Sequence, residues 1–290
     1  MVVVVLHHIS DRMGSGLMEI FRNVGCLAVG VFFCVSGYGL IKSINSKSDY
    51  LGNFIYKKLI RIYIPYMGIN ALTVLMLNYT TTNNYTVTEI IRYCLSMSLI
   101  DSTLWFVVTI IIFYFFFYIS FVKIRDIKSI LNVVVLISLY VVICRYLEYG
   151  SWTYISSFCF PLGLIIGYYE IYINSFLYER YLVMMLLSAL ILFLAIYLKA
   201  SAYVISVLFS CAVFLFFGKF TPQSYIFNLL GIISLEIYLL HMKLLLLFEY
   251  FTFIDSGLWI LLYLSVLISI SYLLHKTNMF FYNKIVFNNI

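Results

Sequence analysis

Long apolar runs, separated by short stretches that hold most of the charge, set the pattern of this chain. The runs predict helices at about 20–41, 59–79, 103–122, 131–147, 154–172, 181–198, 202–218, 226–248 and 257–274. Each approaches the roughly 20 residues needed to cross a hydrocarbon core. They are continuous, as in 182–198, and not alternating, which excludes a transmembrane barrel. A tenth helix is implied at the start, where Val2 to Leu6 lead into His7-His8. Five apolar residues without a charged flank are neither a signal peptide nor a full span, and they read as the second half of a helix. The polar stretch 80–88 precedes a segment, 89–101, expected to lie on the membrane surface. The expected fold is all-α: a polytopic membrane bundle of about ten transmembrane helices, the first truncated, with 1–290 as one membrane domain.

Composition agrees. Of 290 residues, 64% are hydrophobic and 10% charged, with mean hydropathy +1.05. That leaves too little polar surface for a water-facing globule. The six cysteines lie in or beside apolar runs and form no C-x-x-C pair, so they read as small buried residues and no metal site is expected. The net charge of +6 reflects topology and does not point to nucleic acid. Placing the linkers 42–58 and 123–130 in the cytoplasm puts twelve cations inside against six outside (Arg12, Arg22, Arg92, Arg145, Lys199, Lys243). The positive-inside rule favours that orientation, with a cytoplasmic C-terminus.

Ionisable residues within spans each need a partner or a task. His7-His8 are followed by Asp11, at i+4 and i+3, a spacing that lets a carboxylate fix an imidazole tautomer; the plainer reading is an interfacial histidine pair. The 25–40 stretch is rich in small residues that suit close packing, and it contains Ser36, a hydroxyl donor with no local activating group. Lys57, Lys58 and Arg61 stand at i, i+1 and i+4, on one expected helix face fit for phosphates, or else for simple anchoring. Glu236, His241 and Lys243 share one apolar helix. His241 falls at a depth similar to that of His7-His8, which favours one shared polar cavity.

Taken in order, these segments resemble the acyltransferase 3 family of membrane-bound O-acyltransferases. The resemblance rests on Leu6-His7-His8, Gly30-Val31-Phe32-Phe33 with Ser36-Gly37-Tyr38, the basic run ending at Arg61 and Pro65, Leu104-Trp105-Phe106, and Ser234-Leu235-Glu236-Ile237-Tyr238-Leu239 with His241. It covers nearly the whole chain. It implies transfer of an acyl group, usually acetyl, from a coenzyme A thioester to a hydroxyl of a cell-surface polysaccharide or its lipid-linked precursor in a bacterial cytoplasmic membrane. His8 is the better match to the family's reactive histidine, and His7 the alternative. The family's arginine ten residues before that histidine would fall ahead of Met1, so the expectation is either preceding sequence or an inactive truncated chain. Lys57 and Lys58 replace frequent arginines, keeping charge but losing bidentate phosphate binding.

On this reading His8 takes the acceptor's proton at neutral pH, with Asp11 as an orienting group. Lys57, Lys58 and Arg61 hold the phosphates of acetyl-coenzyme A. Ser36, Trp105, Glu236, Tyr238 and His241 are candidates for substrate contact or for the oxyanion donor. Direct transfer and an acyl-histidine relay both stay open, as does oligomeric state. The rival reading is a transporter or flippase of a lipid-linked or small polar substrate.

Overall fold

A computed structural model describes residues 1–13, 20–80, 85–95, 97–220, 223–250 and 257–287. The regular structure of these residues is entirely helical. The α-helices are α1 (Val2–Met13), α2 (Gly25–Ser46), α3 (Phe54–Lys58), α4 (Ile64–Thr80), α5 (Val87–Cys94), α6 (Trp105–Phe121), α7 (Ile127–Tyr146), α8 (Cys159–Tyr168), α9 (Glu170–Leu177), α10 (Tyr181–Tyr197), α11 (Ala202–Lys219), α12 (Tyr225–Ile232), α13 (Ser234–Tyr250) and α14 (Gly257–Phe287).

Among the described residues, six helices have the length and apolarity to cross a membrane, which marks a membrane protein: Gly25–Ser46, Phe54–Asn78, Ser102–Phe121, Ile127–Tyr146, Ala202–Lys219 and Leu258–Val286. Two bent pairs, α9 with α10 at 104° and α12 with α13 at 75°, raise the count to eight if each is one span. The expected ten is therefore not reached. The run predicted at 154–172 shortens to the ten residues of α8 because Pro161 lies in its first turn. Proline lacks an amide hydrogen, so it suits a helix start and opposes extension on its N-terminal side. α1 has 12 residues. The segment expected on the surface overlaps α5, none of whose residues is buried and which opens on a capping box between Thr86 and Glu89.

The chain divides into two compact units, 1–22 with 55–111 and 223–290, and 23–54 with 112–222. In the first unit α13 lies between two apolar clusters. Ile237, Met242 and Leu245 pack with Val5 and Ile9 of α1 and Tyr263 and Leu267 of α14. Tyr238 and Leu239 pack with Tyr66, Ile69, Leu104 and Val107. Turning through successive faces of one helix, the sequence of α13 thus fixes both α1 and the start of α6.

In the second unit α2 and α8 approach backbone to backbone. A Cβ on Gly163 would run into the Cys34 carbonyl, and one on Gly37 into the Phe160 carbonyl. Nearby hydroxyls form a buried chain: Ser206 donates to Ser156 (2.9 Å) and Ser156 to the Cys26 carbonyl (2.7 Å). Cys159 joins that chain 3.4 Å from both Ser206 and Ser210, so it is a hydrogen-bonding group as well as a small apolar one.

Candidate functional site

α1 supplies the first part of the site. Val5 and Ile9, one turn apart, are buried, and this fixes the rotation of α1 that places His8 against α13. The His8 and His241 rings lie 5.1 Å apart between centroids, tilted by 36°. Tyr238 stands 5.5 Å from His241 between ring centroids. His241 Nδ1 lies 2.6 Å from the Tyr238 carbonyl oxygen. A carbonyl only accepts, so the neutral ring carries its proton on Nδ1 and a lone pair on Nε2. That Nε2 is buried and has no hydrogen-bond partner among the described residues.

His7 has a different environment. Its Nδ1 is 3.1 Å from the Phe21 carbonyl, and its Nε2 is 3.5 Å from Asp11 Oδ2. Asp11, expected to orient His8, instead lies beside His7, the residue one full turn away, and 3.8 Å from Arg22. Ligand atoms of His7, His8 and Asp11 all fall within 4.8 Å of one another, the spacing of a metal site. The guanidinium of Arg22 on the same carboxylate and the positive charge of Arg12 near His8 oppose a dication there.

The remaining residues of α13 separate into two polar contacts. The ammonium of Lys243 donates to Asp101 Oδ2 at 2.7 Å, each side chain only 15% exposed. Asp101 Oδ1 accepts from the Thr103 amide (2.9 Å) and hydroxyl (2.6 Å). Burial raises the Asp101 pKa, but the Lys243 charge and the hydrogen bonds of Lys243 and Thr103 outweigh it and hold the carboxyl below the usual aspartate range. Tyr238 donates its hydroxyl proton to the Thr103 carbonyl and sits edge-on to Phe106, 5.4 Å away. Trp105 opens α6 in edge contact with Phe106.

Glu236 faces elsewhere. Its Oε1 accepts from His275 Nδ1 at 3.0 Å and from Asn278 at 3.3 Å, while its Oε2 is buried and has no partner among the described residues. Glu236, His275 and Asn278 line a small cavity of about 30 Å³ together with Arg61, Pro65 and Tyr282. That volume suffices for a water.

Arg61 stands in a π-helical turn, Leu59–Tyr63, where the amide of Ile64 reaches back to the Leu59 carbonyl. The cause is Pro65. It has no amide for the Arg61 carbonyl four residues back, and its ring crowds that carbonyl, so the helix widens by one residue. The i+3 and i+4 register expected between Arg61 and the two lysines is therefore interrupted. Arg61 is exposed, and Lys57 and Lys58 are partly buried.

Ser36 belongs to the second unit, where its hydroxyl is 2.6 Å from that of Tyr114. The structure thus places His7, His8, Asp11, Lys57, Lys58, Arg61, Trp105, Glu236, Tyr238 and His241 in one unit, and brings His8, Tyr238 and His241 together. Two partners escape a reading of the sequence. Asp101 ends the segment 89–101, outside the spans, and His275 falls just past the predicted 257–274 run, beside Lys276; only pairing across helices reveals either.

Chemistry narrows the oxyanion candidates. Glu236 accepts hydrogen bonds, neutral His241 accepts at its unpartnered nitrogen, and Tyr238 has committed its proton. Two candidates keep donor chemistry: the Trp105 indole nitrogen can only donate, and the Ser36 hydroxyl beside Tyr114 can donate or accept.

A family model described as an acyltransferase domain, acyltransferase 3, matches residues 1–276. No curated protein and no solved structure matches the chain.

Proposed function

The chain belongs to the acyltransferase 3 family, and on that premise we propose an integral-membrane O-acyltransferase that moves an acetyl group from acetyl-coenzyme A to a carbohydrate hydroxyl. The acceptor is a cell-surface polysaccharide or its lipid-linked precursor. The protein works in a bacterial cytoplasmic membrane with its C-terminus inside, the orientation the lysines and arginines favour. The observation that carries the reading is the pairing of His8 on α1 with His241 on α13.

His8 takes the proton of the acceptor hydroxyl as its oxygen attacks the thioester carbonyl. The C–S bond then breaks and the thiolate recovers the proton. His8 suits this task better than His7, whose two nitrogens face a carbonyl and a carboxylate. His241 Nε2, an acceptor without a donor, receives a hydrogen bond from the incoming acceptor. Arg61, with Lys57 and Lys58, meets the donor's phosphates; guanidinium supplies a fork and ammonium a point charge.

The bent pairs α9–α10 and α12–α13 favour the rival transporter reading, since broken helices line many transport sites. Purified protein in sealed proteoliposomes, given labelled acetyl-coenzyme A and a surface-polysaccharide acceptor, separates the two. Label transfer that His8→Ala abolishes is expected. Acceptor movement across the bilayer without thioester consumption would establish transport instead.

A further inference from the structure

The second unit holds a cavity of about 610 Å³ between the C-terminal half of α2, α8, α9, the start of α10 and the end of α11. This is within the size range of small-ligand sites. It owes its shape to the 104° turn between α9 and α10, which swings α10 away from the line of α9. Its wall is apolar, built from Ile166, Leu177, Phe214 and Leu215.

The polar groups at its edge include one acid and one cation, and the acid is already paired. Glu170 is already satisfied, accepting from the Tyr38 hydroxyl (2.6 Å) and the Lys42 ammonium (2.7 Å). Lys219 forms no ion pair with a carboxylate among the described residues; its ammonium rests 5.1 Å from the Tyr181 ring centroid. Asn174 and Tyr178, both exposed, add an amide and a hydroxyl. Arg180, also exposed, lies next to this edge over the Phe176 ring. An apolar wall beside donors and a cation with no counter-charge calls for a ligand with an acidic head and a hydrocarbon tail.

We infer that this cavity is a binding site for one anionic glycerophospholipid, its phosphate at Lys219 and Asn174 and one acyl chain along Leu177 and Phe214. The site is separate from the acyl-transfer residues of the first unit and does not depend on their role.

Native mass spectrometry tests it. Protein delipidated in detergent is given equal phosphatidylglycerol and phosphatidylcholine, and monodispersity on size exclusion verifies the fold of each variant. Wild type is expected to retain one phosphatidylglycerol in about fivefold preference, the worth of one lysine near a phosphate. Lys219→Gln brings the two lipids to parity. Gly218→Leu, which fills the cavity beside Tyr181, removes the tightly held lipid altogether. Equal retention of both lipids by wild type, or an undiminished lipid in Gly218→Leu, would overturn the assignment. So would displacement of phosphatidylglycerol by an added polyprenyl phosphate at equal concentration, which would make the cavity a site for a lipid-linked sugar carrier.

Discussion

His241 keeps its proton on Nδ1 because the Tyr238 carbonyl, 2.6 Å away, can only accept it. The consequence lies on the far side of the ring, where Nε2 is a buried acceptor with no donor among the described residues. A buried polar atom left in that state costs about 1–3 kcal/mol, a cost that a bound hydroxyl would relieve. The His8 ring lies 5.1 Å away, so two imidazoles on different helices are direct neighbours. The tautomer also settles which role His241 cannot fill when neutral: it does not donate to an oxyanion from Nε2.

The two ring nitrogens of His241 can be tested separately. Asparagine reaches the position of Nδ1, glutamine that of Nε2. His241→Asn is expected to keep the midpoint of thermal unfolding near wild type and to lose acyl transfer by about 10- to 100-fold, the worth of one hydrogen bond to the reacting group. His241→Gln should retain more activity and less stability. An active His241→Asn enzyme would reduce His241 to a packing residue.

The neighbouring histidines of α1 should differ sharply. His8→Ala removes the base and is expected to lower kcat by about 10²- to 10⁴-fold. His7→Gln disturbs contacts to Phe21 and Asp11 and should act mainly on thermal stability. Transfer of labelled acetyl groups measures the first effect in both variants, and thermal midpoints measure the second. Equal losses in kcat would mean that the pair acts as a unit.

How much of this was legible in the sequence depends on the range of the interaction. Apolar runs place most of the helices, because lipid forces the backbone to satisfy itself locally; α7, α10 and α11 fall almost where the runs predict them. The bends do not show. Ile233, with φ −92° and ψ 11°, ends α12 although no proline or glycine occupies that position. Pro65 is visible in the sequence, but its effect on the register of Arg61 is not. Spacing alone offered Asp11 to either histidine, and the i+4 contact to His7 formed. His241 was legible as an intramembrane imidazole, whereas its tautomer depends on a carbonyl that no pattern of residue types reveals.

The close approach of α2 and α8 gives a stability prediction. Gly163 and Gly37 leave no room for a methyl group against the opposing backbone carbonyls, and backbone yields less readily than a flexible side chain. Gly163→Ala is expected to cost about 1–3 kcal/mol through overpacking. Gly39, with nothing within 4 Å of a Cβ, is the control, and its alanine variant should match or exceed wild type. Thermal midpoints in nanodiscs compare the two. A neutral Gly163→Ala would mean that α2 and α8 can separate at little cost.

The ion pair of Asp101 and Lys243 is the most demanding case, because both groups are 85% withdrawn from water and still charged. Removing one partner strands the other. Asp101→Asn should therefore destabilise by about 3 kcal/mol, whereas the paired change Asp101→Asn with Lys243→Met should recover most of that loss. The pH dependence follows from the Asp101 carboxyl, which the Lys243 charge and the Thr103 donors hold below its ordinary range. Its folded pKa is lower than its unfolded one, so the folded state binds fewer protons near those values. The contribution is then complete above the unfolded value of about 3.9 and fades as pH falls through the lower folded value. Thermal midpoints should show a constant gap between wild type and Asp101→Asn from pH 5 to pH 8, closing only below about pH 4. A gap that closes nearer neutrality would mean that Asp101 is protonated in the fold and does not serve as the counter-charge of Lys243.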